Sequence, residues 1–256
     1  MGYTCFDVSE SDGVAHVRLN RPDQLNTMIA EFWSELPQII DEISSLGRAR
    51  VIVISSTGKH FCAGMDLSVF TGDNSLTAGD AEVGRLRALL RDNVLHLQRS
   101  FTALEEARIP VLVAIQGGCV GGGVDLVTAA DCRYATVDAW FSIHEINIGM
   151  TADVGTLQRL PKLIPEGVAR EYAYTGRRLG ASALSALWSS GSSTRFIPTM
   201  MRCSPMCWPS GPRSQASRPS RFTAPKRCST TRETTPWPTG SGTSPRGRAG
   251  CSSPPT

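Results

Sequence analysis

The chain reads as an α/β fold with a largely parallel sheet, and three observations lead to that expectation. Short apolar, strand-like runs alternate with helix-period segments through residues 1–180. Glycine-containing turns, "GKHFCAGMDL" and "QGGCVGGGVDL", follow the third and fourth of those strands at their C-terminal ends. Beyond residue 180 the alternation stops and the composition changes abruptly.

The elements follow in order. "TCFDVSE", the turn "SDG" and "VAHVRLN" predict a β-hairpin with alternating faces. "AEFWSELPQIIDEISSL" has helical spacing, and "RVIVISS" is a short buried strand. Val83, Leu86, Leu90, Val94, Leu97, Phe101 and Leu104 recur at three- and four-residue steps, one apolar face of a long helix that Pro110 follows. "VLVAIQG" is the next strand and runs straight into a glycine turn that opens the helix "GCVGGGVDLVTAA". "CRYAT" and "AWFSIHE" are the next strands, the second ending on Glu145, and a further helix starts at Asp153.

Composition narrows the classes. Residues 1–180 carry a net charge of −6, whereas residues 181–256 hold 10 Lys and Arg against the single acid Glu233. In those last 76 residues Ser, Thr, Pro, Arg and Gly number 52, and Leu, Ile, Val and Phe number 5. Such a segment buries too little apolar surface to offset its ordering entropy. A nucleic-acid arm would need aromatic residues interleaved with its charges or a scaffold, and the tail has neither. The eight cysteines form no CxxC pair and no His/Cys cluster of metal-ligand spacing, so reduced thiols and no bound metal are expected. No apolar run is long enough to span a bilayer, and the N-terminus has no signal-peptide pattern; a cytoplasmic protein is expected.

The two glycine turns have three readings. Glycine permits tight turns and close helix–sheet packing. A nucleotide site is the second reading, but neither the phosphate-loop pattern nor G-x-G-x-x-G spacing is present. The third is that backbone N–H groups, one at a helix N-terminus, converge on an oxyanion. Two turns, both at the C-terminal ends of strands, make this third reading a fair contender beside packing. The acids near them have ordinary readings too: Asp125 as a helix-dipole acid, Glu145 as a surface charge, Asp153 as an N-cap. His144 is expected to be structural and to face away from Glu145.

"LNRPDQLNTM", "HFCAGMDL", "GGCVGGGVDL" and "GMTADVGTLQRLPKLI" together resemble the enoyl-CoA hydratase/isomerase (crotonase) family, over residues 5 to 180. The resemblance implies a crotonase-like (ClpP/crotonase) spiral of ββα units that binds an acyl-CoA thioester, with no cofactor beyond the coenzyme A of the substrate. It also implies an oxyanion hole from the N–H groups of Met65 and Gly122. Ala63, Gly64, Asp66, Leu67 and Gly121 would bind substrate around it. The family assembles as trimers and hexamers. No Ser–His–Asp set occupies the turns where a protease of that general fold would need it.

The acids resemble the Δ3,5-Δ2,4-dienoyl-CoA isomerases of the family, which act in fatty-acid β-oxidation. That resemblance makes Glu145 the base at C2, Asp153 the acid at C6 and Asp125 the group that orients the pair. Hydration of a 2-enoyl-CoA is the alternative, but it expects a glutamate where Asp125 stands and a glycine where Asp153 stands. Gln116 departs from the His or Asn frequent in the family. A third reading is an acyl-CoA-binding member impaired in catalysis.

After "TGRRL" the family pattern calls for a "GLV" strand and then helices that close the acyl pocket and build trimers. Read one base over, the codons of Leu187–Phe196 allow "L-E-x-G-L-V-N-E-V", and those of Phe222–Gly240 allow "HGTKAMLNYARDHTVADG". Met200–Met201 must give Asp and Trp237–Pro238 must give Ala. Residues 181–256 are therefore expected to be a frame-shifted tail, disordered and outside the catalytic core of residues 1–180.

Overall fold

The computed structural model describes residues 2–66, 68–71, 82–183 and 194–197. Strands β1 (Phe6–Ser11) and β2 (Val14–Leu19) form the expected antiparallel hairpin. Its two-residue turn places Asp12 and Gly13 at φ +53° and +78°, the left-handed pair whose twist matches the flanking strands. Ala15, Val17 and Leu19 are buried, and the alternating Arg18 pairs across the outer face with Asp7.

β3 (Val51–Ser56), β4 (Val111–Ile115) and β6 (Cys132–Thr136) add to β2 in parallel, giving the order β1-β2-β3-β4-β6-β9. The last strand, β9 (Thr194–Ile197), pairs with β6 in parallel, so four residues of the expected tail belong to the sheet. All described residues fall within one compact unit, Met1–Ser204. The second unit, Pro205–Thr256, lies outside the described residues.

Helix α1 (Ala30–Leu46) buries Phe32, Trp33, Leu36, Ile39, Ile40 and Ile43, the stripe that its spacing predicts. Pro37 lies inside it, has no N–H and so leaves the Trp33 carbonyl without its helical donor. The buried Ser100 hydroxyl of α3 (Val83–Glu106) donates to that carbonyl at 2.7 Å. Phe32, Trp33 and Phe101 pack edge to face around this junction.

The long apolar face expected of α3 is only half used. Ser100, Phe101, Ala103 and Leu104 are buried, whereas Val83 and Leu90 are 59% and 42% exposed. Periodicity shows that a helix has an apolar face but not that a neighbour covers all of it. Short α2 (Ser68–Thr71) precedes α3 in the chain.

A second sheet, β5-β7-β8, carries the other half of the site. β5 (Gly118–Val120) stands between β4 and helix α4 (Gly122–Ala129), where the sequence predicts one uninterrupted glycine turn. β7 (Trp140–Ser142) is parallel to β5 and antiparallel to β8 (Leu179–Gly180). After β7 come a 3-10 turn at Glu145–Ile148, helix α5 (Thr156–Arg159) and helix α6 (Glu166–Thr175).

Candidate active site

The first turn, after β3, is held against residues 25–28. Asn26 is buried at φ +55°; its side-chain amide donates to the carbonyls of Thr57 (2.7 Å) and His60 (3.2 Å), and its oxygen accepts from the Arg21 N–H (2.9 Å). From Phe61 to Asp66, every backbone N–H but one has an acceptor. Phe61 and Cys62 donate to Gly118 O, Ala63 to Leu25 O, Gly64 to the Cys62 sulfur and Asp66 to Met28 O. The exception, Met65 N–H, has no acceptor among the described residues.

The second turn repeats the pattern. Gly118 N–H donates to His60 Nδ1 (2.9 Å), Val120 to Cys62 O (2.9 Å) and Gly121 to Ser142 O (2.9 Å). Gly122 opens α4, where a helix leaves its first N–H groups unpaired, and its N–H has no acceptor among the described residues. The two free N–H groups lie close together. A Cβ built on Gly64, the residue before Met65, would be 3.0 Å from Val120 O and 3.6 Å from Gly122 N. Gly64 has φ +90° and Gly121 φ +51°, so these positions require glycine for both conformation and space.

Of the other residues expected to meet substrate, the N–H groups of Ala63, Gly64, Asp66 and Gly121 are spent on the loops themselves. The Asp66 carboxylate is spent too. It accepts from Thr27 Oγ1 (2.7 Å) and from Ser68 Oγ (2.7 Å) and N (3.0 Å). Those bonds, Ser68 first, hold its pKa down to about 2, which makes it a loop anchor. Leu67 lies outside the described residues.

The three acids converge on the same place, two of them on elements other than those expected. Asp125 lies in the first turn of α4, is fully buried, and accepts the Thr156 N–H on Oδ1 at 2.6 Å; its Oδ2 is buried with no partner. Glu145 does not end a strand: β7 stops at Ser142, and Glu145 opens the 3-10 turn. Its Oε1 lies 3.2 Å from the position a Cβ on Gly121, the residue before Gly122, would take, and its Oε2 is buried without a partner. Asp153 is no N-cap. Gly155, at φ +129°, precedes α5, and Asp153 sits half-buried in the turn before it. His144 is exposed and helical in backbone, with Nδ1 3.0 Å from the Asn147 amide, so no strand alternation sets it opposite Glu145.

Electrostatics follow from this burial. Burial first, then the neighbouring Asp125 and Asp153 charges, pushes Glu145 up to about 7. Burial also raises Asp125 to about 6, against the pull of Thr156 and Arg159. Partial burial raises Asp153. Together the residues make an anion-binding N–H pair beside a carboxylate that is half ionised near neutrality, with two further acids behind it. That arrangement can remove a proton next to a carbonyl and return one elsewhere.

The family profile described as enoyl-CoA hydratase/isomerase matches residues 9–187. The chain belongs to the enoyl-CoA hydratase/isomerase family. It is 44% identical over 186 residues to the mitochondrial Delta(3,5)-Delta(2,4)-dienoyl-CoA isomerase of Rattus norvegicus, covering 72% of this chain and 56% of that protein. It is 41% identical over 169 residues to the peroxisomal enzyme of the same name from Arabidopsis thaliana, covering 66% and 61%. The chain thus spans somewhat over half the length of these relatives. Among solved structures, the enoyl-CoA hydratase of Bacillus anthracis superposes with TM-score 0.65 at 28% identity, covering 76% of this chain and 70% of that one. The α/β crotonase-like fold expected from the sequence is therefore the fold of this family member.

Residues with no expected role turn out to hold the site. Asn26 fastens the first turn, and Gln116 Nε2 binds Ser56 Oγ (2.8 Å) and Gly58 O (3.3 Å) below it. From α3, Gln98 donates to the Asp153 carbonyl at 2.6 Å, and Glu105 pairs at 2.8 Å with Arg159, whose guanidinium also donates to Val154 O (3.3 Å). Asn26 carries the one signal visible in sequence, an asparagine suited to positive φ beside a proline turn. The bonds of Gln98, Glu105 and Gln116 join residues more than fifty positions apart.

The raised acids have a cost to the fold. A carboxyl whose pKa is raised by folding stabilises below its ordinary range, and that contribution is lost as pH rises through the folded value. For Asp125 the loss runs from about pH 4 to about pH 6. Asp125→Asn keeps the Thr156 bond and removes the buried charge. It is expected to stabilise the chain at about pH 8 by about 2–3 kcal/mol, roughly 5 °C in Tm, with little change near pH 4. Calorimetry at the two pH values checks this.

Proposed function

We propose that this site isomerises a 3,5-dienoyl-CoA to a 2,4-dienoyl-CoA through an enolate. The observation that carries the reading is the buried Glu145 carboxylate beside the two acceptor-free N–H groups, with Asp153 a turn further on. The names of the rat and plant relatives support the same reaction.

The thioester oxygen would lie against the Met65 and Gly122 N–H groups. Neutral amides favour the enolate oxygen over the ground-state carbonyl, so they lower the barrier instead of merely tightening binding. Glu145, when ionised, takes a proton from C2. The charge spreads through the diene, and Asp153 delivers a proton to C6 as the double bonds move to the 2 and 4 positions. Two carboxyls are needed because C2 and C6 are too far apart for one. Asp153 must be protonated for its step. An acyl chain laid over its open side would strip the remaining water from it and raise it further. The reaction needs Glu145 ionised and Asp153 protonated, so the rate should respond to pH about 7, where Glu145 titrates.

Asp153→Asn tests the assignment. Absorbance of the 2,4-dienoyl product is expected to fall by about 10²–10⁴-fold in rate, with acyl-CoA binding retained. Full activity in that variant would leave no reason to prefer dienoyl isomerisation over hydration of a 2-enoyl-CoA. Hydration is the second reading, favoured by the hydratase likeness of the fold.

No helix among the described residues is long and apolar enough to cross a membrane. The named relatives are mitochondrial and peroxisomal. Trimeric or hexameric assembly is proposed from family membership, and sedimentation of the purified chain measures it.

A further inference from the structure

Isomerisation leaves the enzyme in the wrong state. Each turnover puts a proton on Glu145 and takes one from Asp153, so the next turnover requires that proton to cross from one acid to the other. Bulk water is one route. The structure offers another.

Asp125 is fully buried, and only one of its oxygens is engaged: Oδ1 accepts the Thr156 N–H at 2.6 Å, three residues beyond Asp153. Its other oxygen, Oδ2, is buried without a partner, and so is Glu145 Oε2. Both residues border one turn. Glu145 Oε1 packs on Gly121, and the Gly121 carbonyl accepts the Asp125 N–H at 3.3 Å. An unpartnered buried carboxylate oxygen is costly, and a structure that retains one on each of two electrostatically coupled acids calls for an explanation.

We propose that Asp125 is the proton-return group of this site, taking the C2 proton from Glu145 between turnovers and passing it to Asp153 for delivery at C6. The step balances without a co-reactant: one proton leaves Glu145, passes through the free Asp125 oxygen and arrives on Asp153, with no change in total charge. Burial raises the proton affinity of both carboxyls, to about 6 for Asp125 and about 7 for Glu145. This inference rests on the isomerase reading.

Isotope carry-over tests it on the intact chain. A 3,5-dienoyl-CoA carrying deuterium at C2 is converted in ordinary water, and the product is analysed by mass spectrometry at C6. With enzyme in excess, the first turnover delivers the resident proton, so C6 carries hydrogen. With substrate in excess, internal return delivers the previous substrate's deuterium, so C6 becomes labelled. Unlabelled C6 under multiple turnover in the unmodified chain would overturn the proposal without any variant. In Asp125→Asn, C6 labelling should fall to the single-turnover background while the slower reaction still forms product. Undiminished labelling in that variant would equally overturn it. If no 2,4-dienoyl product forms at all, the isomerase reading fails first, and the two failures are distinguishable.

Discussion

Glu145→Gln is expected to lower kcat/KM for dienoyl-CoA isomerisation by on the order of a thousandfold, with the loss in kcat. The substitution is nearly isosteric, so the packing of the side chain on Gly121 is kept, and the two free N–H groups are untouched. What disappears is the base. The variant also loses a buried carboxyl held up to about 7, so it should melt higher than the parent at about pH 8. Lower activity with higher stability is the signature of a group whose burial serves chemistry and not folding. Steady-state kinetics and a melting curve on one preparation measure both. A variant that lost activity and stability together would show that Glu145 is a structural residue.

Gly64→Ala should have the second largest effect, through the oxyanion pair. The new Cβ would approach Val120 O to 3.0 Å and stand 3.6 Å from Gly122 N, in a left-handed conformation at φ +90°. Backbone carries both of those atoms, so the two turns must separate and the N–H groups of Met65 and Gly122 lose their common target. The expected loss is about 10²–10³-fold in kcat. Strain at positive φ adds a stability cost of about 1–2 kcal/mol. Gly47→Ala separates the two effects. Gly47 caps α1 at φ +65° with nothing within 4 Å of a built Cβ, so that variant should lose stability and keep kcat. Equal kcat losses in both variants would tie the effect to general destabilisation.

Much of this was legible in the chain, and the failures have a common cause. The hairpin, α1, β3 and β4 rest on local periodicity and turn residues, which is why they were readable. "AWFSIHE" reads as a strand through Glu145 because its apolar pattern continues to the buried Ile143. β7 stops at Ser142 because its partner β5 has only three residues before the chain turns into α4. Asp153 resembled an N-cap because "TADVGT" places an acid shortly before a helix. Gly155 takes that role, and the turn it permits leaves Asp153 free. In both cases the local pattern was real and a distant strand or a glycine conformation overrode it.

The site was legible as residue types at strand ends but not as geometry. Met65 and Gly122 could be named from motif positions. That their N–H groups lack acceptors among the described residues depends on how residues 25–28 and Ser142 use up the neighbouring N–H groups. The supports Gln98 and Glu105 leave no mark in the sequence, and Gln116 shows only as a departure from the family pattern, because each acts across the fold. Thr194–Ile197 marks the opposite error: composition set it outside the fold, yet it completes the sheet beside β6.

The most direct test of the account is conversion of a 3,5-dienoyl-CoA by the purified chain, followed by the absorbance of the conjugated 2,4-dienoyl product. Product is expected from the chain as it stands, with a rate that responds to pH about 7, where Glu145 titrates, and almost none is expected from Glu145→Gln. Tight acyl-CoA binding with no product at any pH across the neutral range, from a folded chain, would contradict it.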